Sequence, residues 1–410
     1  MNMSKKVIII GGGAAGLMAA AESAKRGNET LVIEKMPRPA RKMMITGKGR
    51  CNVTNATFEL DALIENVPTN GRFLYSAFSA FMPYDTIALV EEMGVPTKIE
   101  RGNRVFPVSD KAVDVVDAFV KNAKNCGAEF IQGTVKAFEF ENGLIKAVIL
   151  ENGEKLEADA FALCTGGASY PLTGSTGDGY ALAKSAGHVV TPISPSLVPL
   201  VLRNNFIPAL QGLSLKNVKL TVFESGKEVY ADFGEMLFTH FGISGPIVLS
   251  ASSHMKKPED GRYTLSLDLK PALDEQTLDK RIQREFAENN NKDFINSLSK
   301  LLPNKLIPVI VKLSKIDPSK KCNSITREER LSLVKLLKGV TLDVTGFRPV
   351  EEAIVTSGGV DVKEINPKTM QSKIVSNLYF AGEVIDVDAY TGGFNLQIAF
   401  STGYLSGNNI

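Results

Sequence analysis

The sequence predicts an α/β protein. Its base is a Rossmann-like dinucleotide-binding domain with a parallel sheet, interrupted by inserted β-rich and helical domains and completed by the C-terminal residues. Three observations predict this. Val7-Ile8-Ile9-Ile10 reads as a buried strand running into Gly11-Gly12-Gly13-Ala14-Ala15-Gly16, whose glycines at 11, 13 and 16 fit G-x-G-x-x-G, with Leu17 to Lys25 as the following helix. Thr30 to Ile33 is a second strand ending in Glu34. Strand character and glycines return near residue 346, after a middle third with no phosphate-binding glycine pattern.

In the first element, Gly11 makes the tight turn, Gly13 lets the backbone approach a pyrophosphate, and Gly16 lets helix and strand pack closely. The helix start adds free N–H groups and partial positive charge. Glu34 is placed to bond the ribose hydroxyls of an adenosine and disfavours a 2′-phosphate, which selects FAD or NAD over NADP. A glycine turn alone says little; the strand, helix and acid around it make the dinucleotide reading the stronger. Lys5-Lys6 before an apolar run resembles an export signal, but three consecutive glycines suit an export helix poorly. No G-x-x-x-x-G-K-[ST] run is present.

Arg41 to Asn55 combines two glycines with four cations and reads as a loop able to wrap a dinucleotide. Leu74 to Met93 and Val113 to Cys126 read as helical. Glu129 to Val135, Ala137 to Phe140 and Ile145 to Glu151 read as strands, with turns at Glu141-Asn142-Gly143 and Asn152-Gly153. Ala158 to Cys164 is another buried strand, stopped by Thr165-Gly166-Gly167. Prolines 192, 195, 199 and 208 mark a boundary. Alternation follows at Val218, Leu220 and Val222 and at Tyr263 to Leu269. A helical period then runs through Leu278, Ile282 and Phe286, and a capping box opens a helix at Thr326-Arg327-Glu328-Glu329. The expected division is 1–192 with 346–410 as the FAD domain, 193–273 as a β-rich insert and 274–345 as a small helical domain. Asn377 to Ala381 and the helix from Asn395 to Leu405 close the nucleotide fold.

A chain of 410 residues holds two or three domains. With 47 basic and 45 acidic residues the formal charge is +2, which argues against nucleic acid and anionic membranes as partners and for a small-molecule substrate. Cysteines 51, 126, 164 and 322 form no C-x-x-C pair, which fits a reducing cytoplasm, and histidines 188, 240 and 254 are too scattered for a metal centre. No apolar run reaches membrane-spanning length. Oligomeric state is not legible.

Several runs are long enough to be specific: ITGKGRCNVTN (45–55), RVFPVSDKA (104–112), CTGGASYPLTGSTGDGY (164–180), FTHFGISGP (238–246), SGGVDVKEINPKTM (357–370) and AGEVIDVDAYTGGFNLQIAFSTGY (381–404). Through them nearly the whole chain resembles a bacterial flavoprotein family, the aminoacetone oxidase-like or NAD(P)/FAD-dependent oxidoreductases, which includes dehydro-bile-acid reductases. The resemblance implies non-covalent FAD. It places Gly11, Gly13, Ala14, Ala15 and Gly16 on the pyrophosphate, Glu34 and Lys35 at the adenosine with Arg41 and Lys42 nearby, and the backbone of Val135 at the adenine. Thr46, Gly47, Gly49, Arg50, Cys51 and Asn52 run towards the flavin. Thr165, Gly166 and Gly167 pass close to the cofactor, and Gly382, Glu383 and Asp386 lie towards the ribityl chain. Ala389 departs from the family, where many relatives carry glycine.

Gly392 and Gly393 also have an independent reading. They permit close approach, and helix-start amides at Asn395, Leu396 and Gln397 can face the pyrimidine edge of a flavin, where positive dipole favours the reduced ring. No acid or base stands out. His240, Cys51 and Tyr390 are candidates, each with a structural alternative: a surface histidine, a small buried thiol, aromatic packing. The leading expectation is hydride transfer through flavin N5, reducing a conjugated enone of steroid or dehydro-bile-acid type. Since only one G-x-G-x-x-G exists, NADH or NADPH would be a transient donor. Oxidation of an aminoacetone-type substrate with peroxide release is the alternative. A flavin-bearing RNA-modification or binding factor, and a flavin-free NAD dehydrogenase, are the rivals from other classes.

Overall fold

The computed structural model describes residues 4–256 and 261–410, which divide into two compact units, Leu197–Arg348 and the remainder. In the first, five parallel strands lie in the order Leu378–Phe380, Ala160–Leu163, Lys6–Ile10, Glu29–Glu34, Glu129–Gln132. Ile10 stands opposite both Leu163 and Ile33. Covered on both faces, the central strands read as continuous apolar runs.

The helix Ala14–Lys25 is buried along its length from Ala14 to Ala24, because a second helix, Phe394–Asn409, lies against it. Their approach is backbone to backbone. A Cβ at Gly403 would stand 2.4 Å from the Ala15 carbonyl oxygen, and one at Gly407 2.5 Å from that of Ala19. Phe400 stacks on Phe119 of the helix Ala112–Asn125, with ring centroids 4.7 Å apart, and fills the remaining gap.

The stretch expected as one helix over 74–93 is broken into Gly71–Leu74, Tyr75–Ala80 and Pro83–Glu92. Pro83 forces the residue before it out of helical geometry, and Met82 is extended at ψ 169°. The break frees the Phe81 carbonyl for other partners. The strand expected to reach Val135 ends at Gln132, and Val135–Glu141 begins a separate antiparallel sheet with Leu144–Leu150 and Lys155–Glu157.

His188 is structural. Its Nδ1 lies 3.0 Å from Glu364 Oε2 and its Nε2 2.8 Å from Ser372 Oγ, which in turn accepts the Ile374 and Val375 amides.

The second unit is a closed six-stranded barrel, ordered Leu200–Leu202, Gly242–Ser244, Lys227–Phe238, Ser214–Glu224, Tyr263–Asp268, Val340–Phe347. The split into a β-rich 193–273 and a helical 274–345 is corrected by this closure. Val340–Phe347 leaves the helical stretch and pairs with both Tyr263–Asp268 and Leu200–Leu202. The helices Glu275–Glu288 and Arg327–Lys338 share one core with the barrel through Leu278, Ile282, Leu333 and Leu337. Thr326 and Glu329 form the expected capping box.

Gly403→Val should lower the stability of the first unit by about 2 kcal/mol, as overpacking does, with a matching fall in urea midpoint. Burial is the leading influence on His188 and holds its pKa below the ordinary histidine value, against the opposing pull of Glu364. The unfolded chain therefore takes up a proton that the folded chain refuses, so stability falls as pH drops below about 6.5. In urea titrations between pH 7.5 and 5, His188→Gln should lose less stability over this range than the parent.

Candidate functional site

In sheets of this kind ligands bind at the carboxyl ends of the parallel strands. Gly11 closes the first strand at φ +101°, and a Cβ there would stand 2.6 Å from the Cys164 carbonyl oxygen. A Cβ at Gly16 would stand 1.9 Å from the Gly11 carbonyl oxygen, so the helix starts directly on the turn. Its first internal bond runs from the Leu17 N–H to the Gly13 C=O, leaving the amides of Gly13, Ala14, Ala15 and Gly16 without helical partners. Nothing lies within 4 Å of where a Gly13 Cβ would be.

Glu34 holds the turn from its far side. One carboxylate oxygen accepts the Gly12 N–H at 2.7 Å and the other the Met36 N–H at 2.8 Å. Gln132 pairs with Glu34, and the Gly133 N–H bonds the Glu34 carbonyl at 3.0 Å, which brings the approach to Val135 alongside this carboxylate. Val135 itself is buried and paired with Leu150.

The stretch 41–55, expected as a loop, begins as a helix. Ala40 donates its N–H to the Gly12 carbonyl at 2.9 Å, and Arg41–Gly49 is helical until Thr46 turns extended. Gly47, Lys48, Gly49 and Cys51 then all have positive φ. At Gly47 a Cβ would meet the Asn52 amide nitrogen at 2.9 Å, whereas Gly49 faces open space. Asn52 Oδ1 and Thr165 Oγ1 are buried without a hydrogen-bond partner. Bare helix amides, open space at Gly13 and Gly49 and two unpartnered oxygens fit a dinucleotide that supplies the missing partners.

Most cations here are already paired. Lys35 Nζ bonds Asp178 Oδ2 at 2.6 Å, and Lys42 Nζ bonds Glu383 Oε2 at 2.6 Å and Ser169 Oγ at 2.7 Å. Arg50, expected on the cofactor, is held by Glu100 at 2.9 Å and Asp110 at 3.1 Å and lies 3.9 Å over the Phe106 ring. Its planar fork is occupied by these carboxylates. Arg41 is exposed.

The second glycine cluster positions the closing helix. Gly393 has φ +107°, and its missing Cβ would stand 2.3 Å from the Thr54 carbonyl. The amides of Gly393, Phe394, Asn395 and Leu396 are the unspent ones, with no side-chain cap. Gln397 was expected among them and is not: its N–H bonds the Gly393 carbonyl at 3.1 Å. Its side chain is fully buried, with Oε1 accepting Thr54 and Thr86 and Nε2 donating to the Phe81 carbonyl and Ser401. Asn395 clamps the preceding loop, accepting the Ala389 N–H and donating to the Ala389 and Tyr390 carbonyls.

Gly166 and Gly167 pack against Ser175 and against Thr356 with Glu383. Gly382 packs on Ala15, and its N–H bonds Thr402 Oγ1 at 2.9 Å. Glu383 also accepts the Thr356 N–H at 2.8 Å. Burial raises the Asp386 carboxyl above the usual carboxylate range. Sequence reasoning missed Asp388, which is 2% exposed, bonded to Ser196 Oγ at 2.7 Å and raised by burial as well. It also missed the buried phenol of Tyr180. The one signal was the alternation of Asp386 and Asp388 with apolar residues from Val384 to Ala389.

Of the three candidate acids and bases, Cys51 is fully buried, and burial pushes its thiol up to about 12, which leaves no thiolate near neutral pH. His240 is an exposed residue of the second unit, its ring edge on Phe241. Tyr390 is half-buried, and its N–H bonds the Asn66 carbonyl.

Comparison with known proteins adds the following. The family described as the HI0933-like protein Rossmann domain matches residues 5–409. A ribosomal RNA dihydrouridine synthase of Haemophilus influenzae is 32% identical over 409 residues, 98% of each chain. A 3-dehydro-bile acid delta(4,6)-reductase of Clostridium scindens is 29% identical over 397 residues, 96% of this chain and 95% of that one. Among solved structures, a 3-ketosteroid-delta4-(5alpha)-dehydrogenase from Rhodococcus jostii shares the fold at a TM-score of 0.50 and 13% identity, covering 100% of this chain and 97% of that one.

Thr165→Val removes an oxygen that is buried without a hydrogen-bond partner beside the turn at Gly11. It should leave the ligand-free protein as stable or slightly more so, while weakening FAD binding about tenfold, or ~1.4 kcal/mol. Thermal melts with and without FAD, and titration of the apoprotein with FAD, read the two effects separately.

Proposed function

Because the chain belongs to the HI0933-like Rossmann family, a group of flavoprotein oxidoreductases, we propose that it holds FAD non-covalently along the first glycine turn and reduces a carbon–carbon double bond conjugated to a carbonyl. The observation that carries this reading is the pairing of two uncapped helix starts. Gly403 lies on Ala15 and Gly407 on Ala19, so the two helices run in the same direction. The closing helix begins about eight residues earlier along that axis, a stagger of roughly 12 Å. Two partially positive ends thus lie in sequence along the crevice, suited to an extended ligand with a diphosphate at one and an electron-accepting ring at the other.

FAD supplies the hydride chemistry that side chains lack. The amides of Gly13 to Gly16 receive the diphosphate, and Glu34 meets the ribose. The amides of Gly393 to Leu396 would favour negative charge on a ring bound before them. The double bond gains a hydride and a proton, and NADH or NADPH, visiting transiently, is oxidised to replace the hydride.

The names of the two curated relatives converge on one bond type. A bile acid with 4,6-unsaturation beside a 3-keto group and a uracil ring, whose C5=C6 bond is conjugated to C4=O, are both hydride acceptors at the carbon β to a carbonyl. A uracil of ribosomal RNA is the reading a further observation favours over a free steroid-like enone. The overall charge of +2 averages two unequal parts, since residues 197–348 carry 23 lysines and arginines against 17 acidic residues while the rest of the chain is net acidic.

The test is anaerobic stopped-flow at the flavin absorbance. NADH or NADPH should bleach the flavin, and an enone steroid or uridine-containing ribosomal RNA should restore its colour. Bleaching by aminoacetone but not by either nicotinamide would replace the reductase with an oxidase. A colourless protein unable to take up FAD overturns the whole reading.

A further inference from the structure

We propose that the exposed face of the short helix Ile307–Ser314, with the groove that flanks it, is where ribosomal RNA docks. This rests on the RNA reading of the substrate given above and adds the surface that recognises it. The helix divides its residues sharply. Ile307, Val309, Ile310 and Val311 are buried in the core of the second unit. The opposite stripe is Pro308 and Lys312, with Lys305 just before the helix and Lys315 at its C-cap, spaced 3, 4 and 3 apart, and every member is exposed.

The lysines on this stripe are not spent on carboxylates. Some other lysines of the unit are: Lys300 pairs with Glu288, Lys320 with Glu329, Lys321 with Asp293 and Lys338 with Asp268. Among the described residues Lys312 and Lys315 make no ion pair, and Lys305 reaches only the Gln211 carbonyl. The nearest acid, Asp317, is engaged with the Ser319 N–H and hydroxyl at 2.8 and 2.7 Å.

Two depressions flank the stripe and share Pro308 and Lys312. One is lined by Asn205, Phe206 and Ala209, the other by Ile295, Lys315, Asp317 and Pro318. Lys312 borders both depressions, and the Phe206 ring lines the first of them. A groove that tracks a phosphate backbone with lysines and offers a ring for a splayed base is the chemistry of single-stranded RNA binding.

The experiment uses the FAD-loaded full chain and deproteinised ribosomal RNA as probe, with affinity measured by filter binding across a salt series. Lys312→Ala with Lys315→Ala should weaken binding about tenfold at 150 mM salt. It should also lower the slope of log affinity against log salt by roughly 1.4, at about 0.7 per lost contact to a single strand. Phe206→Ala should weaken binding with the slope unchanged. Lys216→Ala with Lys219→Ala, on the barrel strand Ser214–Glu224, is the control and should change neither. Equal losses from both lysine pairs would mean diffuse attraction and overturn the assignment, as would full affinity in K312A/K315A. Failure of the parent protein to bind the RNA at all would instead overturn the RNA reading, and binding to intact ribosomes alone would mark a protein partner. Flavin content and reduction of a small enone should be the same in all variants.

Discussion

The structure of the nucleotide-binding unit depends on how closely main chain approaches main chain around one helix. Ala14–Lys25 is pressed onto the first strand at Gly11 and Gly16 and onto the closing helix at Gly403 and Gly407. No side chain intervenes at these points, so dispersion contacts between backbones, rather than bulky core residues, set the spacing. The helix can neither rotate nor slide without collision. Its free amides are therefore aimed before any ligand arrives, and little ordering cost remains to be met on binding.

The same constraint explains the charge pattern of the crevice. Lys35, Lys42 and Arg50 are balanced by Asp178, Glu383 and Glu100 with Asp110. Fixed amides and helix ends thus answer an anionic ligand more than mobile cations do. Carboxylates tie the lysine and arginine side chains to neighbouring segments, and Lys42 with Glu383 joins residues 341 positions apart in sequence.

What was legible in the sequence was local. The strand–glycine–helix turn, Glu34, the capping box at Thr326 and the alternating barrel strands all announce themselves within a few residues. What was not legible depended on partners remote in sequence. The Gln397 amide is spent simply because the helix starts at Phe394, but the task of its side chain is set by Thr54, Thr86 and Phe81, which no local pattern reveals. Arg50 looks like a phosphate ligand until Glu100 and Asp110 are folded beside it. The helical stretch looked independent because nothing in its own period reveals that Val340–Phe347 closes a barrel. The overall charge concealed its own division, since a sum carries no positions.

The interrupted sheet has a consequence for the chain during its synthesis. Ala160–Leu163 gains its outer neighbour, Leu378–Phe380, only after more than two hundred further residues have been made. Until then it presents an open, apolar edge of the kind that recruits stray strands. The segment produced in the meantime curls into a barrel in which each strand finds two neighbours within the same segment. A cylinder has no rim of unpaired amides to offer, so the waiting edge is kept for the one strand that belongs there.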